Sequence, residues 1–175
     1  GWTISLGVRE RYDCLDWVAE AVRRFGPDVR ILLTGVSMGA ATVLMASGLD
    51  LPDNVVGIVA DCPFSSPEAI VRKLCREYRL PEAVMLPLIR LGARLFGRFR
   101  LDGASSVEAV RRSRVPVLLI HGEDDRFVPC EMSREIAASA PDAELLIVPG
   151  AGHALGCMVD EARYSRAVAG FVGRG

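Results

Sequence analysis

Apolar side chains at Val8, Tyr12, Leu15, Val18, Val22 and Phe25 recur at steps of three and four, which predicts a helix with one buried face. Gly26-Pro27 ends that pattern. Residues 29–34 then read as a short apolar strand between turn signals, followed by a helix of small residues, Gly39, Ala40, Ala41, Thr42, Ala46 and Ser47, suited to close packing on a sheet. The same alternation continues with strands at 55–60, 117–120 and 145–148, a helix near 131–140 and a last helix from about 159 to 172. Strands that are unbroken apolar runs separated by helices imply a mostly parallel sheet covered by helices on both faces, the α/β class.

One stretch departs from this rhythm. More than fifty residues separate the second strand from the third, where connections in such folds are short, and 67–110 reads as helical with Pro81 and Pro87 as breakers. An insertion with helices of its own is expected to form a lid over a site, or else a surface helical hairpin with no part in binding. Within it, Arg90, Arg94 and Arg98 lie four apart on one helical face, and Leu88, Leu91, Leu95 and Phe99 form another. Two readings stand for this helix: a lid that buries its apolar side and solvates its arginines, or a greasy channel or lipid-attracted surface.

Charge and cysteines narrow the classes. The net charge of −1 gives no field that would hold nucleic acid. It is unevenly spread: 65–114 carries eleven basic and five acidic side chains, a net of +6, which leaves −7 on the rest. With 175 residues, half of them hydrophobic, one domain is expected, 1–175, with 67–110 as its lid. No run approaches the roughly 18 apolar residues of a membrane-spanning helix, and the residues present carry no export signal. Five scattered cysteines without metal-ligand spacing read as reduced thiols, favouring a reducing, cytoplasmic setting, with no metal or cofactor. Cys62 and Cys157, near the candidate site in sequence, are expected to be small core residues.

The candidate chemistry begins at Gly35-Val36-Ser37-Met38-Gly39, placed between a predicted strand and a predicted helix. A GxSxG at such a turn forces its serine into a strained, exposed position, and the flanking glycines are expected to remove Cβ atoms that would clash. A serine hydroxyl needs a base, and the chain has two histidines. His153 lies in a Gly-rich loop after the last strand, whereas His121 ends the preceding strand before Gly122 and is expected to fix a turn by hydrogen bonding. The loop after the third strand offers Glu123, Asp124 and Asp125 as the acid that orients the base, and Asp61 after the second strand is an alternative. The backbone NH of Met38, opening a helix, is expected to be one oxyanion donor, its side chain packing only.

His121-Gly122-Glu123-Asp124-Asp125-Arg126-Phe127-Val128-Pro129, followed by Gly150-Ala151-Gly152-His153, resembles the acid and histidine loops of bacterial α/β-hydrolases similar to serine esterases and prolyl-oligopeptidase-type peptidases. The resemblance spans nearly the whole chain and places the acid on Asp125, giving the order Ser37, Asp125, His153 typical of that fold. It implies an α/β-hydrolase fold whose amino-terminal strands and HG-rich oxyanion loop would precede residue 1. The function it implies is cleavage of a small-molecule ester through an acyl-Ser37 intermediate. A peptidase or acyltransferase on the same triad, or a non-catalytic binding protein on this scaffold, remains open. If the preceding strands are absent, the edge of the strand bearing Ser37 is expected to be unpaired and to promote self-association.

Overall fold

The computed structural model describes residues 3–140 and 142–174. Four strands, β1 (Ile31–Val36), β2 (Val55–Asp61), β3 (Val117–Gly122) and β4 (Glu144–Val148), form one sheet in the order β1-β2-β3-β4, every pair parallel. Their carboxyl ends are level: Val36 stands beside Asp61, Asp61 beside Ile120, and Gly122 beside Val148. The ladder continues one step past the strands, as Ser37 N–H donates to Asp61 O, Cys62 N–H to Ile120 O and Glu123 N–H to Val148 O. In parallel sheets this rim is where ligands bind, and all candidate site residues emerge from it.

Apolar residues occupy successive positions in these strands because both faces are covered. Leu33, Ile58, Ala60 and Leu119 point to one side, packing with Val18 of α1 (Glu10–Phe25), Ala40, Val43 and Leu44 of α2 (Met38–Ala46), and more distant helices. Leu32, Val59, Leu118, Ile120, Leu146 and Val148 point to the other and meet the final helix through Tyr164, Val168 and Phe171. Period-two alternation sends neighbours to opposite faces, and here each face has a helical layer. The sheet with helices on both sides is the α/β architecture that the alternating pattern predicts.

Several boundaries differ from the sequence reading. Val8 precedes α1, whose first turn is closed by Glu10: its carboxylate accepts from Ser5 N–H, Ser5 Oγ–H and Gly7 N–H. Burial pushes the Glu10 carboxyl up, but these hydrogen bonds together outweigh it and hold it below its ordinary value. Only Val18 of α1 is fully buried, while Tyr12 and Phe25, assigned to the buried face, are exposed. The spacing located the face, but α2 covers only its middle.

Between β2 and β3 lie α3 (Pro67–Glu77), α4 (Glu82–Leu95) and α5 (Ser106–Val110). Pro81 caps α4, but Pro87 does not break it: the helix runs through, with only Leu86 fully buried. The expected burial of the α4 apolar side is also corrected, because Leu88, Leu91 and Leu95 are all more than half exposed. α3 and α4 are tied by charge instead. Glu68 accepts from both Arg72 and Arg90, and Arg72 also pairs with Glu82. After β3 come α6 (Glu131–Ala138), β4, α7 (Gly156–Val159) and α8 (Glu161–Val172); α8 is the expected last helix, begun at Asp160, whose carboxylate caps it, and the short α7 before it was not expected. None of the described helices is long and apolar enough to cross a membrane.

Candidate active site

Ser37 occupies the turn from β1 into α2 with φ 55° and ψ −116°, a left-handed conformation that L side chains rarely adopt. The turn is sharp because the backbone doubles back at Gly35: a Cβ there would lie 2.3 Å from the carbonyl carbon of Gly39. Gly39 itself has open space where its Cβ would be, so the expectation of two sterically required glycines is corrected to one. Met38 is the first residue of α2, and its N–H is one of the four that no helical carbonyl can reach. Its side chain packs against the cluster of Ala41, Met45, Phe64 and Val128.

Asp125 lies in the loop after β3 with its side chain sealed from solvent. Its Oδ1 accepts from Phe127 N–H at 2.8 Å and Val128 N–H at 2.9 Å, which fixes the carboxylate plane and supplies the hydrogen bonds a buried charge needs. His153 follows β4 on a loop held against the acid loop, where Asp124 N–H donates to Ala151 O at 2.9 Å. That approach depends on Gly122, since a Cβ there would stand 2.3 Å from the Ala151 oxygen.

These loops bring three of the sequence candidates together. His153 Nδ1 is 2.6 Å from Asp125 Oδ2, and His153 Nε2 is 2.9 Å from Ser37 Oγ. A carboxylate only accepts, so Nδ1 carries the proton and Nε2 is left to accept from the Ser37 hydroxyl. An arrangement of this kind can take the serine proton as the oxygen attacks and return it to a leaving group. The Phe127 ring packs edge-on against the imidazole, centroids 5.0 Å apart, and limits its rotation.

The other candidates lie elsewhere. Glu123 and Asp124 are exposed. Asp61, the alternative acid, is buried and turned away: Tyr164 Oη–H donates to its Oδ2 and Cys62 Sγ–H to its Oδ1, each at 3.1 Å. Burial and the Asp61 charge push the Cys62 thiol up to about 12, so it is a neutral group, and its sulfur accepts the Ala154 N–H just after His153. Burial, then the same Asp61 charge, also raises Tyr164 above its ordinary value. Cys157, expected in the core, is exposed.

His121 is fully buried below the site, with Nδ1 2.6 Å from Ser133 Oγ and Nε2 2.8 Å from Val128 O. Cys62, His121 and Asp125 approach within 4.8 Å of one another, the one such trio that could in principle hold a metal among the described residues. Both His121 nitrogens are engaged in hydrogen bonds, to Ser133 and Val128, and Cys62 is engaged with Asp61 and Ala154. Nothing in the sequence announced the contacts of Ser133 and Tyr164, whose partners lie 12 and 103 positions away.

A parallel sheet with a strained serine turn after one strand, an acid loop and a histidine loop after two others defines a recognisable class. The sequence matches the Alpha/beta hydrolase family over residues 3–170, and the chain belongs to that family. It is 29% identical over 174 residues to the uncharacterized protein YqkD of Bacillus subtilis, covering 98% of this chain and 57% of that one. Among solved structures, the Pyrococcus furiosus esterase Pf2001 superposes with a TM-score of 0.70 at 22% identity, over 99% of this chain and 65% of its own. A puromycin-hydrolyzing peptidase of Mycobacterium tuberculosis superposes with a TM-score of 0.73 at 20% identity, covering 97% of this chain and 26% of its own. The chain thus spans between a quarter and two thirds of the length of these proteins.

Proposed function

We propose that this chain is the catalytic part of a serine hydrolase that cleaves carboxylic esters. The observation that carries the reading is the continuous path from Ser37 Oγ through His153 to Asp125, with hydrogen bonds of 2.9 and 2.6 Å. Ser37 Oγ attacks the ester carbonyl as His153 Nε2 takes its proton, and the oxyanion forms near the free Met38 N–H. His153 returns the proton to the departing alkoxide, leaving an acyl-Ser37 ester. A water molecule, deprotonated by the same nitrogen, then attacks the acyl carbon and releases the acid with Ser37 restored. Asp125 holds the ring in its Nδ1–H form and offsets the charge of the transient imidazolium. Esters make the smallest demand on these groups, because an alkoxide leaves more readily than an amide nitrogen.

In the full-length protein, Ser37→Ala or His153→Ala should lower kcat for p-nitrophenyl acetate by about a thousandfold or more while circular dichroism is unchanged. A fluorophosphonate should label wild type at Ser37 and neither of these variants. Asp125→Asn should cost far more than Asp61→Asn. A loss of only a few fold in Ser37→Ala would remove the assignment, and a greater loss in Asp61→Asn would move the acid to β2. Hydrolysis of peptide amides with no ester turnover would replace the ester reading with a peptidase on the same residues.

A further inference from the structure

We infer that His121 is a positioning residue for the Asp125 carboxylate, acting on the proposed reaction through that acid; the inference rests on the hydrolase reading above. The basis is a closed ring of contacts around one residue, Val128. Val128 donates its N–H to Asp125 Oδ1 at 2.9 Å and accepts His121 Nε2–H at its carbonyl at 2.8 Å. His121 Nε2 in turn lies 3.3 Å from Asp125 Oδ2, the oxygen that receives His153 Nδ1–H. Each end of the carboxylate therefore has a fixed neighbour, and both neighbours are tied to each other through Val128.

The direction of each proton follows from the chemistry of the groups. The Val128 carbonyl and the Asp125 carboxylate can only accept, so Nε2 of His121 bears hydrogen. Among the described residues Ser133 Oγ meets only His121 Nδ1; with the hydrogen on Nε2, a neutral ring leaves Nδ1 to accept from the Ser133 hydroxyl. The N–H is aimed at Val128 O, and its positive edge passes the second lone pair of Asp125 Oδ2. That oxygen is sealed from water, and without the imidazole it would lose this neighbour with no solvent to replace it. With it, rotation of the carboxylate away from His153 breaks contacts on both oxygens at once. α6 supplies Ser133 and β3 supplies His121, so rigid elements hold the acid, although Asp125 itself sits on a loop.

A double-mutant cycle in the full-length protein separates this role from general support of the fold. His121→Phe, which keeps a planar ring and removes both hydrogen bonds, is compared with wild type and, separately, introduced into Asp125→Asn. Expected for His121→Phe alone is a fall of about 10- to 100-fold in kcat for p-nitrophenyl acetate and in the rate of fluorophosphonate labelling, with KM within about twofold. The low-field proton resonance of His153 Nδ1–H should also shift. In the Asp125→Asn background the same change should cost less than about twofold, because the acid through which it acts is gone. His121→Gln, whose amide can reach Val128 O, should recover most of the loss. Equal losses in the two backgrounds, or no loss in either, would overturn the inference. If His121→Phe does not fold, Ser133→Ala is read by the same cycle with the same criterion. Should Ser37→Ala cost little, the hydrolase reading fails; should Ser37→Ala cost much and Asp125→Asn little, Asp125 is not the acid and the role of His121 falls with it; should both cost much while the two changes do not couple, only the role of His121 fails.

Discussion

At Ser37 the two glycines of the turn are not equivalent. A methyl at Gly35 would run into the backbone of Gly39 and Ala40, whereas one at Gly39 meets nothing within 4 Å and lies in the first turn of α2. Gly35→Ala should therefore destabilise the protein by about 3 kcal/mol or more, because backbone has to move. Gly39→Ala should be neutral or stabilising by up to about 1 kcal/mol, the ordinary gain in helix propensity. Urea unfolding of both variants checks this, and comparable losses would show that Gly39 is also confined. The pattern GxSxG is legible as a turn, but a pattern cannot say which glycine the turn requires. The same limit applies to the histidines. Chain order and a glycine-rich loop single out His153, while the buried ring of contacts made by His121 depends on Val128 and Ser133 being folded back onto it, which no spacing encodes.

At the scale of elements, strands were legible because each is mainly a short apolar run, with Thr34 inside β1 and the other polar residues at or near strand ends. Helix faces were less legible. Periodicity finds the apolar stripe of α1 or α4, but not whether a neighbour reaches all of it, and Tyr12, Phe25, Leu88 and Leu95 stay exposed. Pro87 was read as a breaker because it lacks a donor, yet losing one hydrogen bond does not end a helix whose other turns are intact. Glu68 joins α4 to α3 through Arg90, beside the Arg72–Glu82 pair; the hydrogen bond from Arg90, joined by that from Arg72, holds the Glu68 carboxyl below the ordinary value against the opposing effect of burial. A carboxyl lowered in the folded state stabilises above its unfolded value and ceases to do so as pH falls through the folded one. Glu68→Gln should thus raise proteolytic cleavage within α3 and α4 roughly fivefold at neutral pH. The wild type should approach the same rate only as pH falls through the lowered folded-state value of Glu68. An unchanged rate in Glu68→Gln would mean that the Arg72–Glu82 pair and apolar contacts dock α4 without it.

Across the whole molecule, β1 is an edge strand that pairs only with β2 among the described residues, and Thr34 and Val36 on it are exposed. An unpaired edge is a template for another strand. The polypeptide of residues 1–175 by itself should therefore self-associate at micromolar concentration, and should label with fluorophosphonate about a hundredfold more slowly than the full-length protein if a second oxyanion donor lies outside it. Analytical ultracentrifugation giving a monomer that labels at the full rate would refute both expectations. The strand order carries a mechanical consequence as well. Ser37 leaves one border of the sheet and His153 the other, so their 2.9 Å contact closes a span of three strand intervals, about 14 Å. The sheet is a lever: at that radius a cumulative change in twist of only about 4° displaces one group against the other by roughly 1 Å, enough to cost about a hundredfold in rate. On the proposed mechanism, a strand added at the β1 border would change how the four strands coil and so tune the Ser37–His153 contact without touching either residue.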